Sequence, residues 1–173
     1  DREGFTKDKP LKKIGMKAQD TCQLYFDNVR VPQSNLLGVE GAGFMYLMQE
    51  LPQERLLVAI IAIATAEEAY NRTVQYVQER EAFGRPIAKF QNTRFKLAEM
   101  LSEIQMGRIF IDKCIELHLK QELDVPTAAM AKYTKTELQC TVVEECGQWN
   151  GGYGHMWESR NAQGKADSKA QRT

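Results

Sequence analysis

Glu54 is the first residue here whose type and setting together suggest chemistry; it stands in the run Glu50-Leu-Pro-Gln-Glu-Arg55. Downstream, Leu56, Ala59, Ile60, Ile63, Ala66, Glu67 and Tyr70 recur at three- and four-residue steps, the period of a helix that buries one face. A carboxylate and a cation therefore open an otherwise apolar approach. One reading is structural: a first-turn Glu complements the helix dipole, with a solvated Arg55 beside it. The other is chemical: a carboxylate base beside an apolar pocket. Spacing alone leaves both open. Pro52 adds local irregularity, either in the first turn of this helix or inside a longer one from Phe44, where it removes an N–H and bends the axis.

Other chemistries are poorly supplied. Cys22, Cys114, Cys140 and Cys146 form no C-x-x-C, and only His118 and His155 could join them. A zinc site or disulfide framework is therefore not expected, and the metal set is read as empty. Reduced, mostly buried thiols in an intracellular protein are expected instead. The net charge of the 173 residues is zero, so nothing points to nucleic acid. No apolar run approaches the roughly 20 residues that span a bilayer. The first residue is Asp1 rather than Met, which suggests a piece of a longer chain.

Residues 1–40 read as the remnant of a β domain. Residues 11–17 and 22–26 look strand-like, Asp27-Asn28 supplies a turn, and Val29-Arg30-Val31-Pro32 reads as a last β segment. So few strands need a partner to be stable. From 41 onward the pattern is helical. A first long helix ends near Arg80, and Gly84 and Pro86 interrupt before a second begins at Gln91 or Asn92 and runs to about Lys120. Its apolar face is predicted to hold Phe95, Ala98, Leu101, Ile104, Ile111 and Ile115, with Lys96, Glu99, Glu103 and Lys113 outward. Asp124 caps a third helix with Pro126 in its first turn, ending before Asn150. The fold class is mainly α, an antiparallel up-down bundle over 41–173 preceded by a few strands. A fourth helix would close the bundle over 158–173. Gly164 and the polar residues around it make that helix a weak one.

Five stretches in order, Lys13-Ile-Gly-Met-Lys17, Phe26-Asp-Asn-Val-Arg-Val-Pro32, Leu51-Pro-Gln-Glu-Arg55, Arg80-Glu-Ala-Phe-Gly-Arg-Pro86 with Gln91, and Gly151-Gly-Tyr-Gly154, resemble the acyl-CoA dehydrogenase flavoproteins, in particular the long-chain type. The resemblance covers essentially the whole chain and corresponds to the end of that family's middle β domain and most of its C-terminal helical domain. It implies FAD as cofactor and a fatty acyl-CoA thioester as substrate. The thioester loses its α proton to a carboxylate and its β hydrogen as hydride to flavin N5, giving a trans-2-enoyl-CoA.

In the long-chain and isovaleryl branches the base stands at the position matched by Glu54. Set against an apolar acyl pocket, a carboxylate there would have its charged form disfavoured and would better accept a carbon-bound proton. This expects Glu54 at a cleft between the helices and the β segments. Met45, Pro52, Gln53 and Arg55 match substrate-side positions. Arg80 matches a contact to the FAD pyrophosphate, a dianion suited to a guanidinium fork. Phe83, Gln91 and the turn Gln148, Trp149, Asn150, Gly151 and Gly152 match further cofactor contacts, which in the family largely serve the flavin of a neighbouring subunit. The resemblance also implies a homo-oligomer, tetramer or dimer, and an electron-transfer flavoprotein as acceptor. The location would be the mitochondrial matrix in a eukaryote and the cytoplasm in a bacterium. Trp149 and Asn150 stand where Leu and His are usual, and Thr134 and Lys135 where Trp and a small residue are. The competing reading is a catalytically inert helical fragment or interaction scaffold derived from such an enzyme.

Overall fold

The computed structural model describes residues 2–156. The fourth helix expected over 158–173 lies outside the described residues. The architecture is three long helices, α1 (Gly43–Glu79), α2 (Gln91–Leu119) and α3 (Val125–Trp149), preceded by an antiparallel pair β1 (Phe5–Lys7) and β2 (Leu24–Phe26). A second, minimal hairpin, β3 (Glu81–Ala82) with β4 (Arg85–Pro86), turns the chain from α1 into α2.

α1 is a single 37-residue helix with Pro52 inside it, so the longer of the two sequence alternatives is the one formed. Pro52 has no N–H to give the carbonyl of Met48, four residues back. The helix is not equally held along its length. Its buried residues are Leu56, Ala59, Ala62, Ile63, Ala66, Ala69, Thr73 and Val77, and none of residues 43–55 is buried. Alanines at 59, 62, 66 and 69 let α3, with Ala128 and Ala131 also fully buried, approach closely, and these two helices share the most extensive packing among the described residues.

The core face of α2 holds Ile104 and Ile111 as the sequence pattern indicates, but not Phe95, Ala98 or Leu101. Thr93, Met100, Ile104, Gly107, Ile111 and Cys114 are buried, whereas Phe95 is 63% and Leu101 37% exposed. Ala98 is exposed, and Ile115 packs from the edge of the core. Close approach at Gly107 sets the face: it lies against α1 so closely that an added Cβ would stand 2.9 Å from Ile63 Cδ1. Lys96, expected outward, instead reaches α3 and pairs with Glu145 at 2.9 Å. α3 begins as its sequence indicates, with the Asp124 carboxylate accepting the Thr127 N–H at 2.6 Å.

The β segments are shorter than expected. Residues 11–17 are not a strand: Pro10 removes a donor, and Met16 at φ 50° turns the chain back. Residues 29–31 are not in a ladder either. Phe5 and Phe26 stack across β1 and β2 with centroids 5.1 Å apart, and a two-stranded ribbon of this size is marginal without further cover.

Candidate functional site

The predicted residues fall at the two ends of α1. At about 1.5 Å of rise per residue, Glu54 lies roughly 38 Å from the last turn of that helix. Arg80 ends α1 in extended conformation, and Ile87 N–H donates to its carbonyl at 2.8 Å. Phe83 and Gly84 form the two-residue turn of the β3–β4 hairpin at φ 54° and 76°, the left-handed pair of a type I′ turn. A bulky residue in that region is uncommon, and here it is also 96% exposed. Behind it Phe90 receives the Phe83 ring edge-on at 6.2 Å and the Arg85 guanidinium at 4.4 Å. Gln91, exposed, is the first residue of α2.

The end of α3 is at this same end of the bundle, as the Lys96–Glu145 pair requires. Gln148 is exposed and Trp149 packs against the core. Asn150 Nδ2 donates to the Cys146 carbonyl at 2.9 Å and stops the helix. Gly151 then takes φ 55°, and a Cβ at Gly151 or Gly152 would meet only open space. The structure thus gathers Arg80, Phe83, Gln91 and 148–152 at one end. Exposed guanidinium, exposed ring and accessible glycine backbone are groups that fit a dinucleotide's phosphates and adenine.

Beneath this surface the interior is firmly packed. Burial pushes the Cys146 thiol up to about 11, against the opposing hydrogen bond of Thr73. Burial first and the neighbouring Cys146 second raise Tyr70. These are core groups rather than reactive ones.

The other end is different. Glu54 is exposed on α1 and is not enclosed. Two concavities exist elsewhere: one of about 670 Å³ beside Arg2, Asp27 and Arg30, the other of about 390 Å³ between α2 and α3 over Met100, Leu138 and Val142. Neither borders Glu54, which stands exposed on the surface of α1. What surrounds Glu54 is an uncovered apolar stripe. Helical spacing puts Leu47, Glu50, Leu51, Leu57, Val58 and Ile61 on its face, with Leu47 67%, Leu57 48% and Ile61 50% exposed. Met45 and Pro52 fall instead on the line that continues the core face through Leu56, Ala59 and Ile63. Arg55 is half-buried between the two faces, and Gln53 is exposed to the other side of Glu54. The four substrate-side positions therefore do not share one face with Glu54. The stripe went unnamed in the sequence reading, although the steps of three, four and seven from Glu54 contain it.

Residues 41–173 match the acyl-CoA dehydrogenase C-terminal domain model. The chain belongs to the acyl-CoA dehydrogenase family. It is 50% identical over 169 residues to the mitochondrial long-chain specific acyl-CoA dehydrogenase of Rattus norvegicus, covering 98% of this chain and 39% of that protein. The crystal structure of an acyl-CoA dehydrogenase from Geobacillus kaustophilus superposes with a TM-score of 0.95 at 46% identity, over 99% of this chain and 45% of that one. Butyryl-CoA dehydrogenase from Megasphaera elsdenii follows with a TM-score of 0.92 at 35% identity, over 99% and 45%. The chain thus spans about two fifths of the length of the curated relatives it matches. Its family is an oxidoreductase family, and no helix among the described residues is long and apolar enough to cross a membrane.

Proposed function

We propose that this chain is the C-terminal part of an FAD-dependent acyl-CoA dehydrogenase that converts a fatty acyl-CoA thioester to the trans-2-enoyl-CoA, with Glu54 removing the α proton. The observation that carries the reading is the setting of Glu54, a carboxylate in line with exposed Leu47, Leu57 and Ile61. An aliphatic chain laid along that stripe buries apolar surface on both partners, at about 25 cal/mol per Å². The same placement brings the carbon next to the thioester over the carboxylate. Bound FAD would supply the hydride acceptor, while this chain supplies the base and part of the apolar wall.

Arg80, Phe83, Gln91 and 148–152 would hold FAD through its phosphates and adenine. They lie too far along α1 for the molecule they hold to reach Glu54 of the same chain, which supports a homo-oligomer whose subunits exchange these contacts. An electron-transfer flavoprotein fits as acceptor, since one similar solved structure carries that title. The location follows the parent, matrix for a mitochondrial protein and cytoplasm for a bacterial one.

The test is conversion of a saturated long-chain acyl-CoA to the enoyl-CoA by the full-length parent with an artificial electron acceptor. Formation of the enoyl-CoA is expected; its absence with flavin bound would contradict the reading. For the 173 residues taken alone, the separation of the two ends favours the inert-fragment reading. The purified chain is expected to show no flavin absorbance even after FAD is added.

A further inference from the structure

Between Gly43 and Ala66 the only charged side chains are Glu50, Glu54 and Arg55. Glu50 and Glu54 are four residues apart within α1 and both exposed, so their carboxylates are neighbours on one face. Like charges at this spacing mildly destabilise a helix. Among the described residues no cation offsets the repulsion, and neither carboxylate has a hydrogen-bond or ion-pair partner. Arg55, next in sequence, bridges neither of them. The remainder of the face, Leu47, Leu51, Leu57, Val58 and Ile61, holds no proton acceptor.

Resting on the proposed role of Glu54, we infer that Glu50 is a proton relay, a positioning residue that accepts from Glu54 the proton taken from the thioester and passes it to solvent. The balance is simple. The α C–H bond breaks, its electron pair stays with the substrate carbon and the proton goes to a Glu54 oxygen. That O–H then gives its proton to the Glu50 carboxylate, directly or through one water, and Glu50 releases it to bulk water. Glu54 returns to the anion it must be for the next turnover. The chain direction fits: past Glu54 toward the core the face is aliphatic, while Glu50 lies one turn toward the unburied start of α1. Once a substrate chain covers the stripe, Glu50 is the other proton acceptor that this face of the helix offers to Glu54.

The experiment uses the full-length FAD-loaded parent in deuterated water with an acyl-CoA whose carbon 3 is replaced by sulphur. That thioester can lose and regain its α proton but has no β hydride to give. Mass spectrometry follows deuterium entering the α position. Wild type is expected to exchange, Glu54→Gln not to, and Glu50→Gln to exchange about tenfold more slowly or worse. Flavin reduction in a single turnover with normal substrate should slow less in Glu50→Gln than exchange does, a split that a merely structural role would not give. Glu68→Gln, on the same face but roughly 21 Å from Glu54, should behave as wild type. Exchange in Glu50→Gln within a factor of about two of wild type, with Glu54→Gln silent, overturns the relay alone. Normal exchange in Glu54→Gln overturns the base assignment, and the relay with it.

Discussion

The two halves of α1 are built to different standards. From Leu56 onward the helix is locked into the bundle by alanines and by Ile63, which is fully buried against Gly107 of α2. Before it, the helix runs on through Pro52 with no buried residue and with Phe44, Leu47 and Met48 open to solvent. The packed half carries no candidate for bond-breaking chemistry, and the bare half carries Glu54. On the proposed reading, a rigid anchor with a projecting, uncovered arm would present Glu54 to a site furnished by other parts of a larger protein. Apolar side chains on that arm add little to the burial that holds the bundle together.

That contrast is open to direct attack. Ile63→Ala should lower the stability of the bundle by about 2–5 kcal/mol in chemical denaturation, through lost burial and the cavity left behind. Ile61→Ala, two positions away but half exposed, should change it by no more than about 0.5 kcal/mol. Equal losses would mean that the bare face is packed after all.

Gly107→Ala comes next. A Cβ there would stand 2.9 Å from Ile63 Cδ1 and 3.1 Å from Lys135 Nζ, so crowding outweighs the helix-propensity gain, for a net loss of about 1 kcal/mol. Lys135→Met in the same chain should recover part of that loss, because it removes the crowded ammonium.

Lys135→Met alone should stabilise slightly, by less than about 1 kcal/mol after allowance for its solvent access and its contact with the Phe110 ring. Burial holds the Lys135 ammonium below its ordinary value. The unfolded chain therefore binds the proton more readily. The penalty is full at neutral pH and fades as pH rises through the folded value toward the unfolded one. Thermal melts of wild type and Lys135→Met should accordingly converge in the alkaline range.

The smallest effect concerns the start of α3. Hydrogen bonds from Thr127 hold the Asp124 carboxyl below the usual range, so its capping contribution is present above the unfolded value and is lost as pH falls through the folded one. Asp124→Ala should reduce the melting temperature modestly at neutral pH. The difference from wild type should close in acid.

Much of this was legible beforehand. The three helices, the Asp124 cap and the break at Gly84 and Pro86 follow from period, capping chemistry and turn residues, and the family followed from ordered motifs. The face of α2 followed only in part: Ile104 and Ile111 are buried as the pattern indicates, but close approach at Gly107 turns Phe95 and Leu101 outward, and apolar character alone cannot register closeness. The short β segments failed for a different reason: residues 11–17 look strand-like, but the turn at Met16 leaves them without a ladder. Glu54 was visible as a candidate, yet its enclosure was not, since a pocket is a property of everything that surrounds a residue.

The account stands most directly on the rate at which an acyl-CoA bleaches the flavin of the full-length Glu54→Gln variant, followed anaerobically in a single turnover. It predicts full flavin content and bleaching slower by about 10²–10⁴-fold. Bleaching at the wild-type rate, with flavin bound, would show that another residue takes the proton.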